Sequence, residues 1–355
     1  MLILAGVTIA TLTGDNGLLQ KAASSKQASE KGEIEEQIKL AYNDWKLRKE
    51  TGEAVDLQNT VQTTLDKMYD NATVNKQGKA ISINVKGHEF TLVDDGTMQE
   101  GKLAYLDIAD GNIDLYSNGY KQYTGNLQGL NKNGVTEYTG KYIITGTTTE
   151  NTVNVREQGT YNITIKNLQV DVSNYSYTCA FNANLGRHST NCYVTLKIEG
   201  DNLLQGGSGA AGLGFTHATP NMNGVNDGSS LTINGDGKLE VKTKASYGIG
   251  SGWGYPYVNN NSIGNVSNII INSGNIIAEG SGRGIGGSSS VDNIVINGGK
   301  IITNGIGGKE ESNSIIINDG IIYSERKKWK TCNWWRRWNR KHNNKWRKIL
   351  WRNNR

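Results

Sequence analysis

The chain of 355 residues has very little proline and cysteine: Pro220 and Pro256 are its 2 prolines, and Cys179, Cys192 and Cys332 its 3 cysteines. So little proline excludes a collagen-like repeat and a proline-rich linker. The cysteines follow no C-x-x-C spacing, and their odd number does not make a full disulfide framework. A single Cys179–Cys192 bridge stays open beside the reading in which both are buried thiols. Also missing are a nucleophile motif, a phosphate-binding loop and an H-E-x-x-H zinc signature, and His88, His188, His217 and His342 are scattered. No catalytic residue can be assigned. The apolar run Met1–Leu12 is shorter than the ~20 residues of a membrane span. It lacks a basic segment before it and a small-residue cleavage site after it.

An excess of positive charge is absent from most of the chain, although the formal net charge is +5. Glu325–Arg355 holds 13 basic residues and 1 acidic one, which leaves 25 basic against 32 acidic residues elsewhere. An acidic body is unsuited to phosphate backbones, so nucleic acid is excluded as a partner.

Glycine, by contrast, is abundant at 45 residues, and short runs of Ile, Val and Leu alternate with Gly and Asn. That pattern suits stacked strands joined by tight turns. From about Tyr138 one unit recurs: Leu196-Lys-Ile-Glu-Gly-Asp201, Leu231-Thr-Ile-Asn-Gly-Asp236, Ile269-Ile-Ile-Asn-Ser-Gly274, Ile294-Val-Ile-Asn-Gly-Gly299 and Ile315-Ile-Ile-Asn-Asp-Gly320. Aligning Ile198, Ile233, Ile271, Ile296 and Ile317 gives steps of 35, 38, 25 and 21 residues. Glycine-flanked isoleucines at 249, 285 and 306 are expected at tight corners where backbones approach closely. Asn234, Asn272, Asn297 and Asn318 are expected to stack about 4.8 Å apart. Their position at a strand-to-turn junction favours bonding to turn carbonyls over facing sugar hydroxyls.

The expected fold is mainly β: a parallel β-helix, or solenoid, preceded by an α-helical, pilin-like α+β segment. Its divisions are an apolar helix over 1–30, a small α+β segment over 31–135, the repeats over 136–325 and a basic tail over 326–355. Ile34, Ile38, Ala41 and Trp45 recur at helical spacing, as do Leu57, Val61, Leu65 and Met68, with Gly52 between them. Alternation in Ala80–Val85 and Glu89–Val93 predicts a hairpin turning near Lys86-Gly87.

Two resemblances follow from these residues. Leu2–Leu19 resembles the N-terminal helix of type IV pilin-like proteins of Gram-positive bacteria, in which a basic leader and a longer apolar run come first. That implies a membrane partner through the helix where a full leader exists, and an envelope or extracellular location, anchored or secreted. Tyr138–Gly146, Asn162–Ile165, Cys179–Asn182 and the Gly-Ile-Gly units resemble a family of Gram-positive surface proteins described as carbohydrate-binding. That resemblance implies a parallel β-helix of pectate-lyase-like shape and a polysaccharide partner.

Six of the 8 tryptophans lie beyond residue 328, at 329, 334, 335, 338, 346 and 351. Read one base later through A/T-rich codons, Trp334–Trp338 becomes five glycines and His342–Arg347 becomes Ile-Ile-Ile-Asn-Gly-Gly. The tail is therefore expected to be frameshifted repeat sequence, which the genomic sequence decides.

The best binding segment is Trp253-Gly-Tyr255-Pro-Tyr257, inserted in the longest repeat step, because aromatic faces stack on sugar rings. The same segment also suits a flap over an apolar patch. Tyr175 and Tyr177 are weaker candidates of the same kind. Asp201 and Asp236 stand at matching motif places, where a calcium ion is one reading and plain turn residues the other. No other cofactor is implied. The expected function is a non-catalytic, cell-surface polysaccharide-binding protein. The alternatives are a pectate-lyase-like enzyme and an inert stalk or adhesin.

Overall fold

The computed structural model describes residues 18–125, 132–183, 191–215, 229–244, 246–251, 266, 268–287, 291–308 and 312–324. The protein is mainly β with an N-terminal helix, and it forms two compact units that divide between Leu103 and Ala104. The apolar run Met1–Leu12 and the basic tail lie outside the described residues.

In the first unit, helix α1 runs Leu18–Glu50 and helix α2 runs Leu57–Asp66. Ile34, Ile38, Ala41 and Trp45 bury one stripe of α1 in the same core as Leu57, Val61 and Leu65. Gly52 turns the chain at φ +88, and Asp56 caps α2 by accepting the Asn59 N–H at 3.0 Å. Met68 does not extend the α2 stripe: the helix ends at Asp66 and the side chain is exposed. Thr73–Gln77, Ala80–Val85, His88–Val93 and Met98–Glu100 form an antiparallel sheet. Val85 pairs with His88 across Lys86 and Gly87, both at positive φ, so the predicted two-residue hairpin is present.

In the second unit the chain visits three parallel sheets in rotation. Sheet I includes Gly159–Lys166, Cys192–Glu199, Ser230–Gly235, Asn268–Ile271, Val291–Ile296 and Ser312–Ile317. Sheet II includes Gln169–Asp171, Asp201–Gln205, Lys238–Lys242, Asn275–Glu279, Lys300–Thr303 and Ile321–Ser324. Sheet III includes Val153–Val155, Phe181–Asn182, Leu213–Gly214, Ile249–Gly250 and Ile285–Gly286. It begins with Asn112–Tyr116, which is parallel to Val153–Val155 and antiparallel to Gly119–Tyr123.

Alternate residues of each strand point inward, and those of all three sheets merge into one apolar core. Leu196, Ile233, Ile271, Ile296 and Ile317 form one column of sheet I. The first motif copy is therefore offset by two residues from the alignment of Ile198 with Ile233, because Ile198 pairs with Gly235. Gly235-Asp-Gly237 offers two glycines, and the pairing sets the second beside Gly200, whose carbonyl accepts the Lys238 N–H at 2.8 Å. The Ile198 side chain uses the room this leaves: a Cβ on Gly274 would lie 2.5 Å from its Cδ1.

Of the glycine-flanked isoleucines, Ile249 and Ile285 lie in strands of sheet III and not at corners, and Ile306 forms a single parallel bridge to Ile285. Close backbone approach is nonetheless their reason: a Cβ on Gly250 would lie 1.9 Å from the Gly286 carbonyl oxygen, and one on Gly286 2.1 Å from that of Gly307.

Candidate functional site

The outward residues of sheet I make three rows in its last rounds. In the third row Lys197 is followed by Asn234, Asn272, Asn297 and Asn318, in register across neighbouring strands and the turns that follow them. The amides bond to one another: Asn272 Nδ2 donates to Asn234 Oδ1 at 2.8 Å, Asn297 to Asn272 at 2.7 Å and Asn318 to Asn297 at 2.7 Å. Stacking is as the motif predicts, but the amides face outward and are not directed at turn carbonyls. That job falls to buried Asn202, which donates to the Glu199 and Lys238 carbonyls at 3.0 and 3.1 Å and accepts the Leu168 N–H at 2.9 Å.

The first row holds a second, shorter ladder. Asn293 Nδ2 donates to Asn268 Oδ1 at 2.7 Å, and Ser314 Oγ donates to Asn293 Oδ1. Between the ladders, Thr232 gives way to Ile270, Val295 and Ile316, and Ile316 is 41% exposed. Asn272 lies four positions after Asn268, so the ladders stand about 13 Å apart. An amide has two N–H donors and two oxygen lone pairs. Asn272 and Asn297 each use one of each within the ladder, and keep an N–H and a lone pair at the surface. The face thus combines an uncharged apolar strip with regularly spaced donors and acceptors on both sides. It can bind a flat, hydroxyl-bearing surface without desolvating a charge.

The aromatic residues expected to bind sugar are Trp253, Tyr255 and Tyr257. These three residues lie outside the described residues. Asp201 and Asp236 are exposed, and Asp201 pairs with Lys238 two residues beyond Asp236. The motif match that placed the two aspartates together is therefore absent from the strand register. Among the described residues no group of three or more His, Cys, Asp or Glu is placed to hold a metal. Cys179 and Cys192 are buried and not joined in a disulfide, and burial pushes the Cys179 thiol up to about 12.

A further polar cluster escaped the sequence reading. Asp114, Asn154 and Asn182 pair in one row of sheet III, on the side opposite the core residues Ile113, Val153 and Phe181. Asp114 accepts from Arg156 at 2.9 Å and from Asn154 at 3.0 Å. Asn112 accepts the Thr152 N–H at 2.9 Å. Burial raises the Tyr116 phenol, with the Asp114 charge adding to the shift, and its hydroxyl has no hydrogen-bond partner among the described residues. The signal was the alternation in Asn112–Tyr116 and Thr152–Arg156, which looks the same whether the polar side faces water or is covered. No protein-family model matches the chain, and neither does any curated protein or solved structure.

Proposed function

We propose that the second unit is a parallel β-helix and that the chain is a non-catalytic polysaccharide-binding protein of the cell surface. The solenoid reading is supported by three parallel sheets visited in rotation around one core. The binding reading rests on one observation: the strip of Ile270, Val295 and Ile316 lies between two amide ladders that repeat once per round. A glycan chain has matching chemistry, with C–H faces for the strip and hydroxyls for the amides. The Trp253 segment enters this reading as an insertion within the longest repeat step, because insertions in repeat folds often serve binding. The envelope location extends the resemblance of Leu2–Leu19 to pilin-like helices.

The test is retention of the folded protein on insoluble neutral and acidic polysaccharides, with the supernatant monitored by ultraviolet absorbance for unsaturated product. Retention without product is expected. Asn297→Asp sets a carboxylate against Asn272 Oδ1 and is expected to weaken retention several-fold, as is Trp253→Ala. Calcium-dependent product release would favour the lyase reading instead, and no retention on any glycan would remove the proposal.

A further inference from the structure

The connection from sheet II to sheet III after Asp171 carries two exposed tyrosines, Tyr175 at 44% and Tyr177 at 52%. Tyr177 has φ +56, where an L side chain crowds its own backbone and a bulky residue is an outlier. Three of the other positive-φ non-glycine positions are Asn71, Asn167 and Asn191, the residue type that tolerates this region. The next round of chain enforces the conformation. Ser208 donates its N–H to the Tyr175 carbonyl at 3.1 Å and accepts the Tyr177 N–H at 2.7 Å. Gly207 donates to the Thr178 carbonyl at 2.9 Å, and a Cβ there would lie 1.9 Å from the Tyr175 oxygen. Beneath the turn, Cys179 is buried against Ala210 and Ala211.

The turn is thus held by the backbone of the next round, and its strained residue Tyr177 is 52% exposed. Strain kept at an exposed aromatic points to a partner outside the fold. The neighbouring side chains are hydroxyls: Ser208 Oγ donates to Ser176 Oγ at 3.3 Å, and Thr178 Oγ1 donates to the Ser176 carbonyl at 3.1 Å.

We propose that the Tyr175–Tyr177 turn is a second sugar subsite, separate from the ladder face, where a pyranose ring stacks its C–H face on tyrosine and its hydroxyls meet Ser176 and Ser208. This rests on the carbohydrate reading above and gives it a second point of attachment. A rigid pair of tyrosines among serines offers a large amphipathic contact that loses little side-chain freedom on binding.

The test compares the full chain with Tyr177→Gly and Tyr177→Phe on insoluble glucan, xylan, chitin and peptidoglycan, together with thermal melting. Glycine adopts φ +56 without steric cost, so Tyr177→Gly is expected to melt no lower than wild type. Its retention on the glycan that wild type binds is expected to fall about tenfold, the loss of one good ring stack. Tyr177→Phe keeps the ring and is expected to stay within about twofold. Wild-type retention matched by Tyr177→Gly overturns this inference and leaves the carbohydrate reading standing. A lower melting temperature for Tyr177→Gly also overturns it, because the ring is then a packing element. Failure of wild type on all four glycans removes both.

Discussion

At the beginning of the second unit, Asp114 and Arg156 meet at 2.9 Å with side chains only 1% and 7% exposed, and Asn154 donates both to Asp114 and to Thr152, which in turn donates to Asn112. At its end, the equivalent row of sheet III is glycine at 250 and 286, and the outward rows of sheet I are repeated asparagines. Both regions hold parallel strands in register. The first does so with residues that occur once, so a slipped pairing would strand a charge away from water. The second does so with residues that repeat, and each round offers its neighbour the same partner. Unique pairs fix where the array begins, and repeated ones allow it to continue.

The contrast is most exposed to removal of one charge. Arg156→Ala leaves Asp114 buried without its cation and is expected to cost about 3–5 kcal/mol, read as a lower urea midpoint. An unchanged midpoint would break the comparison. Gly250→Ala tests the other end, where the new Cβ would meet the Gly286 carbonyl oxygen 1.9 Å away at φ +128. A loss of about 2–3 kcal/mol is expected from the overpacking, again by urea titration. The smallest effect belongs between the two ends, on sheet II. A hydrogen bond from Lys242 holds Glu240 below the usual carboxylate range against the opposing effect of burial, with Lys238 assisting. Its folded pKa lies under its unfolded one, so its contribution is present above the unfolded value of 4.5 and is lost as pH falls through the lowered one. Glu240→Gln is expected to flatten that part of the acid-stability curve by roughly 0.5 kcal/mol.

The sequence displayed the repeating end far better than the unique one. Isoleucines two apart beside a turn glycine have one workable arrangement, so the inward columns and the asparagine row could be anticipated from spacing alone. The offset at Ile198 could not, because Gly235 and Gly237 fit the motif equally well and only the Gly200 contact selects between them. That offset also separated Asp201 from Asp236. The direction of the asparagine amides was misjudged because a turn-side residue can bond inward, as Asn202 does, or along the row, as Asn272 does. The Asp114–Arg156 pair was invisible: its members are 42 residues apart in a chain where most charges lie at the surface. The strain at Tyr177 comes from Ser208 and Gly207 in the following round, and no local pattern announces it.

In the ladder that runs from Asn234 to Asn318, each amide donates towards the amino-terminal neighbour: 272 to 234, 297 to 272 and 318 to 297. Such a row is a one-way street, with an amino group at its head and a carbonyl at its foot. A polymer whose two ends differ chemically would not sit equally well in both orientations on it. The face therefore carries a compass bearing as well as a spacing.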